Sequence, residues 1–426
     1  MEIGEALSNL NEWWVSNKVS GELAKPYKRK AFAEASRIFR EHRQILMLVG
    51  LRRVGKSTLV YQLIEGLLGR VDPKHIVYFT FDAGTPDLLK LMAEYGRITG
   101  TDWKHGKVYL FLDEVQKLPG WSSQVKLIYD TFPQMKIVIS GSASLQLESS
   151  AANDLAGRYF AIEMKPLSVV EYYELRYGKK IERPELYRSE LQAEIDRYLL
   201  RQFPEIVGWQ NEGDVKEYIR ENVVSKIVRG DLPDTFRSAN FRLLEGMIML
   251  FFGRPGMIIS ADALSSEFGV SKTTLENHLF YLEFSKLIRI VRNFRPNIRM
   301  ESRKLKKAYP YSISLALPYS AIPEPQVYET VVASAVDASN YWRMGVKEVD
   351  FVLKGNILPI EVKSGNRIDE SDLKSIRYFM KKYKVGRGIV VYSGGAEKHE
   401  GKISLLPLID LLSKGLPRHA GGRLKK

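Results

Sequence analysis

Cysteine is absent from the 426 residues. That excludes disulfides, thiolate catalysis and cysteine-type zinc sites, and nothing in the chain requires an oxidising compartment. Histidine is scarce, at six residues, and no two are spaced as HxxxH. Long hydrophobic runs are missing as well: Met247 to Phe252 is among the longest, far short of the roughly 20 residues a membrane-spanning helix needs. The amino end, MEIGEALSNLNEWW, is acidic and interrupted, unlike a targeting segment. The expectation is a cytoplasmic protein with no membrane partner. Repeats and low-complexity blocks are also lacking, so the chain divides by changes of pattern.

What is present is bulk and positive charge. A hydrophobic content of 45% in a chain this long suffices for two or three cores. Lys and Arg number 64 against 50 Asp and Glu, a formal charge of +14. That balance favours a polyanionic partner, DNA first.

Residues 28–165 alternate apolar runs (ILMLVG, HIVYFTFD, KVYLFLDE, KIVISGS) with helical stretches, the rhythm of a parallel sheet with crossover helices. An amino-terminal extension, 1–27, precedes them. From 166 to 239 the period becomes helical, as in ELQAEIDRYLLRQF, and reads as a helical lid. Residues 240–297 follow as a small helical module and 298–326 as a basic, proline-bearing linker. A second mixed region covers 327–415, and 416–426 form a basic tail expected to be disordered.

Gly50-Leu-Arg-Arg-Val-Gly55-Lys56-Ser57 satisfies GxxxxGK[ST] and stands between an apolar strand and the helix STLVYQLIEGLL. Gly50, Arg52, Arg53, Val54 and Gly55 would wrap phosphates with backbone N–H groups at a helix amino terminus. Lys56 would reach the β and γ oxygens, Ser57 would ligate Mg²⁺ and Thr58 would touch the α-phosphate of ATP. The strand Val108 to Leu112 ends in Asp113-Glu114. There Asp113 would hold Mg²⁺ and Glu114 would polarise the attacking water.

Within 240–297, Gly269 reads as a turn between two helices, with Ser271 capping the second, and an apolar hairpin-like stretch follows. This is the pattern of a winged helix-turn-helix. Ala263, Leu264, Phe268, Val270 and Leu275 would form its core. Lys272, Thr273, Thr274, Asn277 and His278 would face outward, toward a DNA groove or a protein partner.

Asp350 in EVDFVL, and Glu361 and Lys363 two apart in ILPIEVKSG, would share a pocket on neighbouring strands. With Glu329 in the helical YETVVASAV, they read as a metal-dependent nuclease set. Asp350, Glu361 and Glu329 would hold Mg²⁺, and Lys363 would orient or activate the water. The order of elements resembles the PD-(D/E)xK nuclease fold, including archaeal Holliday-junction resolvases.

The segments GLRRVGKST, LFLDEVQKLPGW, ISGSASL, LAGRY and PLSVVEYY together resemble archaeal and bacterial AAA-type ATPases of the STAND-related branch. Asn11-Glu-Trp13-Trp14 is similar to the aromatic entry segment of that family. The resemblance implies a nucleotide-sensing or transferring role for Arg158, against a structural role bridging sheet and lid. It also implies a γ-phosphate sensor at Ser140, against a plain turn residue. The expected fold class is α/β: a P-loop NTPase parallel sheet with a helical lid, a winged helix-turn-helix and a restriction-endonuclease-like α/β domain. The expected function is an ATP- and Mg²⁺-dependent ATPase acting on DNA through a nuclease domain. The alternative is an ATP-driven switch whose nuclease-like domain is catalytically silent. A homo-oligomer is left open.

Overall fold

The computed structural model describes residues 2–142, 145, 154–295 and 305–417. The expected tail beyond 417, two positions of the ISGSASL segment (143 and 144) and residues 296–304 lie outside them. Two compact units divide the chain, Met1–Pro166 and Leu167–Lys426.

In the first unit, β1 (Ile45–Gly50), β2 (Ile76–Thr80), β3 (Tyr109–Asp113), β4 (Lys136–Gly141) and β5 (Tyr159–Met164) form one sheet in the order β2-β3-β4-β1-β5. All four pairings are parallel. The near-continuous apolar runs that carry these strands suit a sheet covered on both faces, and β1 is buried at every position. Helix Leu88–Thr99 is opened by Asp87, whose carboxylate accepts from the N–H groups of Leu89 and Lys90. Its Leu91, Met92 and Tyr95 join Val77, Phe79, Leu110, Leu112 and Ile128 in the core.

The open edge of β2 is covered by the amino-terminal segment. The Asn11 carboxamide donates to the Tyr78 carbonyl and accepts from the Tyr78 N–H, at 2.9 and 2.7 Å. The indoles of Trp13 and Trp14 both donate to the Ile76 carbonyl. Backbone groups that would otherwise offer a pairing edge are thereby satisfied.

In the second unit, helix Val169–Tyr177 starts with a capping box between Ser168 and Glu171. It packs with Leu191, Tyr198 and Ile409, the last from helix Leu408–Lys414. Arg188 donates to both carboxylate oxygens of Asp410 in that same helix. The helices expected as a lid therefore belong to the second unit and are bound to its carboxyl-terminal helix.

β6 (Met257–Ile259) and β7 (Ile288–Asn293) flank β8 (Lys306–Pro310) in antiparallel pairing, around helices Ala261–Glu267 and Lys272–Phe284. β8 falls inside 298–326, so residues 306–310 of the expected linker form a strand. Its basic residues disguise it: Lys307 is buried because Glu348 neutralises it. β7 also pairs in parallel with β9 (Asn340–Met344), which β10 (Lys347–Val349) extends. A third sheet, β11-β12-β13-β15-β14, comprises β11 (Phe351–Leu353), β12 (Leu358–Lys363), β13 (Gly388–Tyr392), β14 (Lys398–Glu400) and β15 (Ile403–Pro407). Val291 and Tyr309 share one hydrophobic cluster with Phe351, Ile360 and Val391, so the second and third sheets rest on a common core.

Two expectations for the helix-turn-helix are corrected. His278 is buried, its Nε2 accepting from the Asn240 N–H and its Nδ1 bonded to the Thr274 carbonyl. The buried positions Leu275, His278, Leu279 and Leu282 follow the apolar stripe of a helix, and position 278 lies on it. Ala263 is exposed, because helix Ala261–Glu267 buries Leu264 alone. Thr273 and Asn277 are exposed as expected, while the Lys272 ammonium is paired with Asp262 at 2.8 Å. Among the described residues no helix is long and apolar enough to cross a membrane.

Candidate functional site

β1 ends at Gly50, and a side chain there would overlap the Met164 carbonyl of β5. The loop then turns through left-handed backbone at Arg53 (φ 68°) and Gly55 (φ 96°). Gly55 stands at the cap position of helix Lys56–Glu65 and supplies no capping side chain. The N–H groups of the first turn are therefore left for a ligand, with the positive end of the helix dipole behind them. Lys56 is buried at 6% exposure, and its ammonium donates to the carbonyls of Gly50 and Leu51 at 3.3 and 3.0 Å. Val54 is fully buried and Thr58 half-buried in the same turn. Arg29 fastens the loop from outside, donating to the carbonyls of Val54 and Lys165 at 2.8 and 2.9 Å. Sequence reasoning missed Arg29, since nothing distinguishes it within the basic run KPYKRK.

Asp113 closes β3 and is buried. Its Oδ2 accepts from the Ser57 hydroxyl at 2.6 Å and from the Tyr78 hydroxyl at 3.2 Å. Its Oδ1 accepts from the Ser140 hydroxyl and from the Glu114 N–H. Ser140 is fully buried behind Asp113, where it holds that carboxylate. Tyr78 was missed because its neighbour on the sheet, β3, lies some thirty residues away in sequence; only the strand order brings it to Asp113. Burial, and secondarily the Asp113 charge, raise the Tyr78 phenol well above its ordinary range. Glu114 takes a left-handed conformation, φ 52°, and burial pushes its carboxyl up, with the Lys56 charge opposing and the Asp113 charge adding.

Arg158 lies elsewhere. It immediately precedes β5, and its carbonyl accepts from the N–H of Ile45, the first residue of β1. That is the amino end of the parallel sheet, roughly 16 Å along the strand from Gly50 at ~3.3 Å per residue. Its guanidinium is paired with Asp130 through Nε and a terminal nitrogen, at 2.9 and 3.2 Å. Within its own first unit Arg158 does not face the P-loop.

In the second unit, Phe351 of β11 is in register with Ile360 of β12, which sets Asp350 opposite Glu361. Asp350 Oδ2 accepts from the Val362 N–H at 2.8 Å. Lys363 approaches Glu361 Oε1 at 3.1 Å and Asp372 at 3.6 Å. Glu361 Oε2 is buried without a hydrogen-bond partner among the described residues. Burial, reinforced by Glu361 and Glu329, holds the Asp350 carboxyl well above its usual range. Burial likewise pushes Glu361 up to about 7, against the pull of Lys363. The Glu329 carboxylate accepts from the Tyr309 hydroxyl at 2.8 Å. Among the described residues no three His, Cys, Asp or Glu side chains are gathered as a metal-holding group. The fold brings together an acid pair and a lysine, with Glu329 tied to β8.

A five-stranded parallel sheet with a P-loop at the carboxyl end of β1 defines the first unit as a P-loop nucleotide-binding α/β fold. Residues 42–173 match an AAA domain. Residues 192–325 and 321–411 match two domains of unknown function, DUF8612 and DUF4143. An uncharacterized protein of Methanocaldococcus jannaschii, MJ1637, is 25% identical over 410 residues, covering 86% of this chain and 84% of its own. An uncharacterized protein of Haemophilus influenzae is 24% identical over 243 residues, 56% of this chain and 59% of its own. Among solved structures, the S. cerevisiae Hsp104-ADP complex is 18% identical with a TM-score of 0.31, covering 66% of this chain and 41% of that one. A STAND protein with a tetratricopeptide repeat sensor from Pyrococcus horikoshii is 14% identical with a TM-score of 0.28, over 73% and 45%.

Proposed function

We propose that this chain is an ATP-hydrolysing AAA-type ATPase that acts on DNA. The observation that carries the ATPase reading is the meeting of Ser57 and Asp113 at 2.6 Å beside an uncapped, glycine-turned helix start. Two hard oxygen donors side by side suit Mg²⁺, which would neutralise phosphate charge when bound. With ATP bound, Lys56 would exchange its two loop carbonyls for the β and γ oxygens, and Thr58 would contact the α-phosphate. Tyr78 and Ser140 keep the Asp113 carboxylate oriented toward Ser57. Glu114 accepts the proton of the attacking water, and its raised pKa makes it a better base than an exposed carboxylate. Lys56→Ala is expected to abolish ATP hydrolysis in a phosphate-release assay; full activity in that variant refutes the site.

Support for DNA comes from the +14 charge and from the helix-turn-helix at 261–284. In a nuclease reading, Asp350 and Glu361 hold a divalent cation and Lys363 orients the water. Here the buried, unpartnered oxygen of Glu361 fits a cation better than it fits an apolar core. The switch reading has its own observation: Lys363 is engaged by Glu361 and Asp372, and Glu329 by Tyr309. Junction, flap and linear DNA incubated with Mg²⁺, with and without ATP, separate the two. Cleavage lost in Lys363→Ala supports the nuclease, and ATP-dependent binding without cleavage supports the switch. Paired with Asp130 at the far end of the sheet, Arg158 has a structural role within its own copy, and action on nucleotide would require a neighbouring copy in a homo-oligomer.

A further inference from the structure

Gln116 stands inside LFLDEVQKLPGW with no role read for it there, yet its carboxamide is the partner of the Glu114 carboxylate. It lies in the short 3₁₀ turn Val115–Lys117 that follows the left-handed Glu114 and folds beneath the end of β4. Its Nε2 donates to Glu114 Oε2 at 2.5 Å. Its Oε1 is buried and has no hydrogen-bond partner among the described residues. A Cβ at residue 141 would overlap that oxygen, so Gly141, at the carboxyl end of β4, makes the room it occupies. With Glu114 ionised, as a general base must be, the reverse amide orientation would set two acceptors against each other, so the amide N–H is the group that faces Glu114.

A buried acceptor without a partner is destabilising, because its lost hydration is not replaced. A straight apolar side chain of similar volume would fill the same space without that cost. What the amide supplies and an apolar chain does not is a charge-assisted hydrogen bond to the general base. We propose that Gln116 is a positioning residue that sets the direction of the Glu114 carboxylate toward the attacking water, in a slot that Gly141 keeps open. This rests on the ATPase reading above.

Gln116→Met tests it, because methionine keeps the volume and removes both the donor and the orphaned acceptor. The expected result is a kcat for ATP hydrolysis lowered roughly tenfold by the misdirected base. The dissociation constant for a fluorescent ATP analogue and the melting temperature are expected to hold at wild-type level or better. A residue that served packing alone would show the opposite split. Gly141→Ala, which drives the amide aside, is expected to lower kcat in the same way. The Gln116→Met/Gly141→Ala double variant is expected to be no slower than the slower single variant. Wild-type kcat in Gln116→Met, or a fall in kcat matched by an equal loss of nucleotide binding, overturns the assignment. Absence of hydrolysis by the wild-type chain, by contrast, sinks the ATPase reading itself, with Lys56→Ala as the blank.

Discussion

Three hydroxyls converge on Asp113, from Ser57, Tyr78 and Ser140. Removing the carboxylate takes the partner from the fully buried Ser140 hydroxyl, so Asp113→Ala is expected to cost stability as well as activity, about 1–3 kcal/mol. The check is a lowered urea midpoint at unchanged m-value. Glu361 makes a pH prediction. Its folded-state pKa, about 7, stands above the ordinary 4.5. Between those values the unfolded chain releases a proton that the folded chain retains, so stability falls as pH rises through that window. Asp350, also raised, acts in the same direction. In metal-free buffer the wild-type melting temperature should drop from pH 5 to pH 8, and Glu361→Gln should flatten the drop. Equal slopes in the two proteins would count against the buried acid pair. At this scale Lys56, Ser57 and Asp113 were legible because each belongs to a local motif with an apolar strand before it. Tyr78, Gln116 and Arg29 were not, since no motif position prescribes them and each serves the site only through a contact with a motif residue, Asp113, Glu114 or Val54, that the folded chain makes.

Among the elements, the edge of the first sheet is the most exposed to test. Asn11 satisfies both backbone groups of Tyr78, the residue whose hydroxyl also reaches Asp113. Asn11→Ala is expected to destabilise the first unit by about 1–3 kcal/mol through the orphaned N–H and carbonyl. Faster amide hydrogen exchange at Tyr78 is the direct readout, and unchanged exchange would dismiss the clamp. The far end of the same sheet carries Arg158, held by Asp130. Arg158→Ala is expected to leave ATP affinity intact, and specific activity that rises with protein concentration in the wild-type chain but not in this variant would mark service to a neighbouring copy. The strands themselves were readable as apolar runs. β8 was not, because its buried Lys307 depends on Glu348, a partner in another strand. His278 could have been read correctly from its spacing with Leu275, Leu279 and Leu282.

For the whole molecule, separate hydrophobic clusters in the two units predict that nucleotide acts on one of them. At a hundredfold excess over its dissociation constant, an ATP analogue stabilises the fold that binds it by about 2.7 kcal/mol. Calorimetry should show that gain in one transition, with the other unmoved. DNA affinity, if it rests on the +14 charge, should fall steeply with salt on a log–log plot. The sequence by itself determined the P-loop, the acidic pair after β3, the parallel α/β character of 28–165 and the pairing of Glu361 with Lys363. Each of these is encoded within a few consecutive residues, where strand or helix period fixes which side chains share a face. Only the tertiary structure decided that β4 separates β1 from β3, that Arg158 stands away from the loop, and that the helices after 167 join helix Leu408–Lys414. These depend on strand order and on contacts between distant segments, where packing, and not local pattern, sets the outcome.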